Sequence, residues 1–356
     1  MDSRNLEDDK IFNNNFSLIK MVGAYLVFAG HMFVLMGMDT PQLLQQKIQW
    51  LGVIIFFICS GFLITKSWER DRNYFRYIIK RTIRIFPALI VYCLFTACII
   101  GPLVSSLPLR DYFRNSLFKD YFKNIILYIT YFLPGGVFEV NPYPNAVNGS
   151  LWCLSIEFMM YILTPFINEL GKFLKGRFIV VITSIVCILS IVWELYFQDI
   201  RIVFYAMDLG QILSIIPYYL LGMMIASLKI NKKSFSVLTG CILMIVYSVS
   251  GINSIAVSNI LEFILIPYII FSIAFANKEK LGEICEKCEI SYGIFLYGFM
   301  IQQLIIYLFY KRGIYPTVGS MLVICLGITI IFALLSNRYI EKPMSKLMKR
   351  YIVNGR

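Results

Sequence analysis

Ten long apolar segments constrain the fold of this chain more than any other feature of its sequence. They cover residues 16–37, 48–65, 85–104, 152–168, 178–197, 209–228, 234–251, 255–276, 290–310 and 316–337. A helix crosses the roughly 30 Å hydrocarbon layer with about 20 such residues, because each residue adds about 1.5 Å. Charged residues make up only 15% of the chain, whereas soluble domains have about 25%. The sequence therefore predicts an all-α integral membrane protein with about ten transmembrane helices in the lipid bilayer.

The distribution of basic residues predicts the orientation of these helices. With the N-terminus inside, 24 of the 33 Lys and Arg residues fall in the inner loops and tails, and eight fall in the outer loops. Cytoplasmic loops of membrane proteins carry this excess of positive charge. The sequence thus predicts cytoplasmic tails at 1–15 and 339–356 and a membrane domain at 16–338. Because topology accounts for the net charge of +12, we expect no nucleic-acid partner.

The longest stretch between predicted helices covers residues 105–151 on the outer side. It contains an eleventh apolar patch, residues 124–134, which is too short to span the bilayer and is followed by two glycines. We expect this patch to be re-entrant or interfacial, because counting it as a span would reverse the orientation of every later loop.

Polar residues inside the apolar segments are informative because the bilayer makes each of them costly. His31 is the single histidine of the chain and lies in the outer half of the first segment. Its imidazole is suited to act as a general base near neutral pH, or to donate a structural hydrogen bond to a neighbouring helix. Lys20 precedes His31 by eleven residues, which places both side chains on one helix face about 16 Å apart. Lys20 could bind an anion or extend to the membrane surface.

Two further polar groups lie in the second segment and in the basic stretch that follows it. Ser60 and Gly61 interrupt an apolar helix, where they either allow two helices to pack closely or leave room for a slender ligand. Arg81 and Arg84 share a helix face and could bind phosphate together. Composition alone favours the simpler interpretation that these arginines anchor a helix at the inner membrane surface.

A carboxylate follows shortly after the start of the fourth segment. Glu157 lies five residues into this segment, at a depth predicted to be similar to that of His31. A carboxylate there needs a partner, and pairing with His31 would orient the imidazole and stabilise its charged form. Trp152 and Ser155, from the same stretch, are predicted to contact the substrate from the outer side.

Taken in order, these motifs resemble those of the membrane acyltransferase-3 family over nearly the whole chain. The family motifs are a basic residue and a histidine separated by ten residues, FFxxSG, RxxR, SLWxLSxE, an ISYxxYL helix and a terminal ExP. Their counterparts here are Lys20 with His31, 56–61, 81–84, 149–157, 290–297 and 341–343. Two positions depart from the pattern, because Lys20 stands where arginine is commoner and Gly298 stands where many members have another histidine.

The resemblance implies transfer of an acyl group, usually acetyl, from acyl-CoA on the cytoplasmic side to a hydroxyl of a surface polysaccharide or lipid-linked glycan. It implies His31 as the catalytic histidine, for which Glu157 is our predicted support. The residues predicted to contact the CoA moiety are Lys20, Arg81, Arg84, Ser60 and Gly61. Acetyl-CoA would be a co-substrate, and we expect no permanently bound cofactor. We expect the protein in the cell membrane, and a second copy of the chain is a candidate partner.

Two functions of other classes compete with this interpretation. A transporter of glycolipids or small molecules would explain the helices, but not the order of the motifs or the spacing of Lys20 and His31. A polysaccharide polymerase would favour larger polar outer loops. We expect no metal site, because the CxxC pair of Cys285 and Cys288 would need two further nearby ligands to bind zinc.

Overall fold

The computed structural model describes residues 15–174, 177–230, 232–252, 254–276 and 280–354, and consists almost entirely of helices. The helices are α1 (Phe16–Leu35), α2 (Ile48–Arg70), α3 (Tyr74–Phe95), α4 (Leu109–Arg114), α5 (Ser116–Tyr121), α6 (Trp152–Phe173), α7 (Arg177–Tyr196), α8 (Leu209–Ser227), α9 (Val237–Val249), α10 (Ile255–Ala274), α11 (Lys280–Cys288), α12 (Ser291–Tyr310), α13 (Val318–Ser336) and α14 (Lys342–Asn354). Two short hairpins pair β1 (Gln42–Leu43) with β2 (Gln46–Lys47) and β3 (Val203–Phe204) with β4 (Met207–Asp208).

Two of the long helices continue beyond their α-helical part. A π-helical segment, Thr96–Ile100, joins α3 to a final turn at Gly101–Val104. A second π-helical segment, Asn337–Glu341, joins α13 to α14. The predicted C-terminal tail therefore begins as a continuation of the last long helix, whereas the predicted N-terminal tail, apart from Asn15, lies outside the described residues.

Nine helices in the described part of the chain are long and apolar enough to cross a membrane. This finding confirms the predicted all-α polytopic membrane class. The predicted segment at 234–251 is the exception, because its helix α9 has 13 residues and a length of about 20 Å. α9 nevertheless packs antiparallel to α10. Ser236 N–H donates to Tyr268 near one end of the pair, and Tyr247 OH donates to Glu262 near the other.

The outer segment 105–151 contains no helix of spanning length, as predicted. It folds into α4, α5, a 3₁₀ turn at Phe122–Ile126 and irregular backbone. The segment is attached to the bundle by buried polar contacts, because Asn141 Nδ2 donates to both the backbone oxygen and the side-chain Oε1 of Gln303 at 2.9 and 2.7 Å.

Helix α2 packs against α1 and α8 through glycines. A Cβ atom at Gly61 would lie 2.0 Å from the backbone oxygen of Tyr219, and one at Gly52 would lie 2.5 Å from the backbone oxygen of Gly23. Such distances are too short for any side chain, so both contacts require glycine and bring the helix backbones together. As a result, α2 is fixed between its neighbours and contributes residues to both ends of the bundle.

Candidate active site

A cavity of about 350 Å³ lies among α1, α2, α3, α6 and α12, at the end of the bundle predicted to be cytoplasmic. We call it the inner cavity. Its charged lining residues are the cations Lys20, Lys80, Arg81 and Arg84 and the carboxylates Glu157 and Glu289. Apolar side chains, among them Phe56 and Phe295, line the remainder. The excess of positive charge suits an anionic ligand, and the apolar part suits a slender uncharged extension of that ligand.

The cation pair Lys20 and Arg84 is bridged by Glu289. One carboxylate oxygen, Oε1, lies 3.2 Å from Lys20 Nζ and 2.9 Å from Arg84 Nη2. Arg84 Nη1 also lies 3.7 Å from Glu341, whose side chain is buried. Burial acts to raise the pKa of the Glu289 carboxyl, but Arg84 and Lys20 outweigh burial and hold this pKa below its ordinary value. Glu289 is therefore a charged counter-ion within the cavity.

Sequence reasoning did not identify these two carboxylates as site residues. Glu289 directly precedes the stretch that resembles the ISYxxYL motif, and Glu341 is the glutamate of the ExP motif. Both carboxylates could have been recognised from the sequence, because an acidic residue near a predicted bilayer segment needs a basic partner. The structure identifies that partner as Arg84.

The remaining cations of the inner cavity differ in how they are held. Lys80 pairs with Asp71 at 3.0 Å in the turn between α2 and α3. Burial opposes ionisation of Asp71, but hydrogen bonds from Lys80 and Arg76 lower the pKa of its carboxyl below the ordinary value. Within the described residues, Arg81 has no carboxylate partner of this kind. Its Nη2 donates to the Ser67 hydroxyl at 2.8 Å, and its buried Nε lacks a partner among those residues. Arg81 therefore retains capacity to bind an anion.

Glu157 faces the inner cavity together with Ser60. Its Oε1 accepts hydrogen bonds from Ser60 Oγ at 2.6 Å and from Tyr161 OH at 2.5 Å. The structure thus brings five of the predicted site residues, Lys20, Ser60, Arg81, Arg84 and Glu157, to one cavity. Gly61 is not among them, because its Cβ position points at the backbone of α8. The close-packing interpretation applies to Gly61, and its predicted contact with CoA stays a prediction.

His31 lies outside the lining of the inner cavity. Its ring packs edge-on against Phe299 with 5.3 Å between ring centroids. Its neighbour Gly30 packs against Gln49, which precedes Ser60 by eleven residues and therefore lies about 16 Å away along α2. The predicted similar depth and contact of His31 and Glu157 are contradicted, because the carboxylate is satisfied by hydroxyl groups closer to the inner end.

The two residues predicted to contact substrate from the outer side have different surroundings. The Trp152 indole stacks on Trp50, with centroids 5.7 Å apart and planes within 8°. Ser155 is only 4% exposed, and its hydroxyl donates to the backbone oxygen of Leu127 at 2.7 Å. The hydroxyl of Ser155 thus holds the outer segment, and its predicted contact with substrate stays a prediction. The described residues contain no group of three or more His, Cys, Asp or Glu placed to hold a metal.

Comparison with known proteins identifies the family to which this multi-pass membrane protein belongs. Residues 13–336 match the family described as an acyltransferase domain. The chain therefore belongs to this acyltransferase family, which confirms the resemblance found in its motifs. It is a membrane-embedded acyltransferase.

Relatives of the chain span different parts of its length. An O-acetyl transferase of Shigella phage Sf6 is 26% identical over 94% of this chain and 98% of its own length. Nodulation protein 10 of Rhizobium leguminosarum bv. viciae is 25% identical over 48% of this chain and 49% of its own length. The Regulator of hypoxia-inducible factor 1 of Caenorhabditis elegans is 29% identical over 38% of this chain and 26% of its own length. No solved structure matches the chain.

Proposed function

We propose that this enzyme transfers an acyl group, in the simplest case acetyl, from acyl-CoA to a sugar hydroxyl of a surface glycan or glycolipid. The observation that carries the proposal is the inner cavity, in which four cations face two carboxylates and an apolar interior. Acyl-CoA combines several phosphate charges with a slender chain that ends in a thioester. Oxygen as the acceptor atom is supported by the relative named as an O-acetyl transferase.

Donor binding in this proposal places the phosphates on Lys20, Arg81 and Arg84. Guanidinium groups bind phosphate through paired, charge-assisted hydrogen bonds. The slender part of acyl-CoA that carries the acyl group then runs past Ser60 toward Phe56 and Phe295, whose ring centroids are 6.2 Å apart. Phe295 precedes Phe299 by one helical turn, and Phe299 is the residue that packs on His31. Displacement of the Phe56 and Phe295 rings would bring the thioester to His31.

His31 is the proposed general base. Its neutral imidazole takes the proton of the acceptor hydroxyl while that oxygen attacks the thioester carbonyl carbon. The tetrahedral intermediate collapses, the carbon–sulfur bond breaks, and the imidazolium returns the proton to the leaving thiolate. The products are an acyl ester and the free CoA thiol. In this direct transfer, the proton taken from the acceptor hydroxyl is the one returned to the thiolate, so no other co-reactant is needed.

The proposed orientation gives the two substrates separate entrances. Acyl-CoA approaches from the cytoplasm at the basic end of the bundle, and the glycan approaches from the outer face of the cell membrane. The excess of Lys and Arg in the predicted inner loops supports this orientation.

Replacement of His31 tests the proposal. The His31→Ala and His31→Gln proteins in lipid vesicles should lose acetyl transfer from radiolabelled acetyl-CoA to glycan by about 100-fold or more. Release of free CoA thiol should fall in parallel. Tyr25→Ala, an exposed position on the same helix, is the matched control and should keep wild-type activity. Activity of both His31 variants within threefold of wild type would rule out His31 as the general base. Wild-type protein that releases no CoA thiol would indicate that the protein is a transporter instead.

A further inference from the structure

A second hollow lies at the opposite end of the bundle, beneath the hairpin of β1 and β2. It consists of two adjoining cavities of about 510 and 520 Å³ between this hairpin and the ends of α7, α8, α9 and α10. We call the two together the outer cavity. The lining residues that the two parts share are Gln42, Gln45, Gln46, Glu194, Asn259 and Glu262.

The wall of the outer cavity is held in place by a buried carboxylate. Glu262 is 2% exposed, and its Oε1 accepts hydrogen bonds from Gln46 Nε2 at 2.7 Å and Tyr247 OH at 2.9 Å. Its Oε2 accepts a hydrogen bond from Tyr218 OH at 3.1 Å. Gln45 Nε2 donates to the backbone oxygen of Tyr247 at 2.9 Å. The hairpin is therefore attached to α9 and α10, and the shape of the cavity exists before a ligand binds.

Several polar atoms of the outer cavity keep unused hydrogen-bonding capacity. Gln49 Oε1 is buried and has no hydrogen-bond partner in the described part of the chain. Glu194 accepts one hydrogen bond, from Asn259 Nδ2 at 2.6 Å, through its Oε2 atom. The carboxylate of Glu194 can accept further hydrogen bonds, so it suits a ligand that donates hydroxyl groups.

The composition of the lining indicates the chemical class of that ligand. Side-chain amides donate to and accept from sugar hydroxyls, and carboxylates accept from them. The indole of Trp50 offers an apolar face to the C–H side of a sugar ring. Two carboxylates, Glu194 and Glu262, face the single lysine Lys47. The excess of negative charge disfavours an anionic sugar.

Gln49 connects the outer cavity to the proposed general base. It lines the cavity, and its backbone nitrogen would lie 2.7 Å from a Cβ atom placed on Gly30. Gly30 directly precedes His31 in α1. The outer cavity thus borders α1 at the level of His31, whereas the inner cavity contacts α1 at Lys20.

We propose, on the basis of the function proposed above, that the outer cavity binds the acceptor as an uncharged, hydroxyl-rich sugar. The sugar ring lies against Trp50, and its hydroxyls bond to the Glu194 carboxylate. The nearest free hydroxyl is then presented to His31.

Matched neutral and anionic sugars test this proposal. We would measure acetyl transfer from radiolabelled acetyl-CoA to p-nitrophenyl β-D-glucoside and to p-nitrophenyl β-D-glucuronide in vesicles. Wild-type protein should show a KM for the glucoside about tenfold below that for the glucuronide, a difference of about 1.4 kcal/mol. Trp50→Ala should raise the glucoside KM about tenfold, and Glu194→Lys should reverse the preference toward the glucuronide. The KM for acetyl-CoA should not change in either variant.

The control is Asp199→Asn, which changes an exposed carboxylate on the same side of the bundle outside the cavity lining. It should leave both KM values unchanged. Unchanged acceptor kinetics in Trp50→Ala and Glu194→Lys would overturn the outer cavity as the acceptor site. If His31→Ala still abolished transfer in that case, the proposed function would stand. Wild-type protein that releases no thiol and acetylates neither sugar would overturn both proposals.

Discussion

The inner and outer cavities satisfy polar groups within a membrane protein in different ways. In the inner cavity, cations are balanced by nearby carboxylates, as Glu289 shows with Lys20 and Arg84. In the outer cavity, the buried Glu262 is surrounded by neutral donors from Gln46, Tyr218 and Tyr247. The first arrangement can exchange one anion for another, whereas the second fixes the shape of a neutral binding site. This difference is consistent with a phosphate-bearing donor at one end and an uncharged acceptor at the other.

Replacing the two inner arginines should produce the largest difference between the cavities. The Arg81→Gln/Arg84→Gln double variant should raise the KM for acetyl-CoA about 100-fold, because each charge-assisted hydrogen bond contributes about 1.5–3 kcal/mol. The KM for the sugar acceptor should stay within about twofold, since the outer cavity lacks both residues. Initial-rate kinetics with each substrate varied in turn would measure both values.

The matched control replaces two exposed arginines of the outer segment, in the Arg110→Gln/Arg114→Gln variant. It should leave the KM for acetyl-CoA unchanged. An unchanged KM in the inner double variant would show that Arg81 and Arg84 only anchor α3 at the membrane surface, and the assignment of the inner cavity to the donor would fail.

Substitution of Gly61 should affect both cavities, because α2 contributes residues to each. A methyl group at this position would overlap the Tyr219 backbone oxygen, so Gly61→Ala must separate α2 from α8. We expect a loss of about 1–3 kcal/mol in the free energy of unfolding, measured by thermal unfolding in detergent. Gly327→Ala adds the same methyl group where no atom lies within 4 Å and should be neutral or slightly stabilising. Equal unfolding temperatures of the two variants would contradict the close contact.

The sequence predicted the helices well because spanning the bilayer requires long apolar runs. It also identified Lys20, Ser60, Arg81, Arg84 and Glu157 as unusual, since polar groups near the bilayer need a partner or a function. Their common location in one cavity follows from tertiary packing. α9 was overestimated in length because hydropathy does not distinguish the last residues of a helix from extended flanking backbone.

The predicted contact between His31 and Glu157 failed because it depended on side-chain direction. Counting residues from helix ends placed Glu157 level with His31, but nearby hydroxyl groups of Ser60 and Tyr161 determine where the carboxylate binds. Hydropathy likewise could not show that Gly61 faces α8. The outer cavity was missed because its glutamines lie in a short loop and at a helix start, where uncharged polar residues give no unusual signal.

Removal of the Glu289 charge should change donor binding in the opposite direction to removal of the arginines. Glu289→Gln frees Lys20 and Arg84 for phosphate and should lower the KM for acetyl-CoA about threefold, a modest effect because the ion pairs are partly exposed. Glu283→Gln, an exposed position on α11, is the control. A higher KM in Glu289→Gln would show that Glu289 helps to position the cations.

Glu289 should also give a defined pH dependence of stability. Its pKa is below the ordinary glutamate value because of Arg84 and Lys20, so its stabilising contribution is complete above about pH 4.3 and is lost as pH falls through the lowered pKa. The difference in thermal unfolding temperature between wild type and Glu289→Gln should be constant from about pH 7 to pH 5 and shrink below about pH 4. A difference that disappears already near pH 6 would contradict the ion pairs.

A substitution at Ser155 separates structural support from substrate binding at the outer end. Ser155→Ala removes the hydrogen bond to the backbone oxygen of Leu127, a residue with a φ of +63° in the left-handed region that is costly without glycine. We expect the free energy of unfolding to fall by about 1 kcal/mol, with the acceptor KM within about twofold of wild type. Ser184→Ala, at an exposed position on α7, should change neither quantity. A tenfold higher acceptor KM in Ser155→Ala at unchanged stability would instead place this hydroxyl in contact with the sugar, and would extend the acceptor site from the outer cavity to α6.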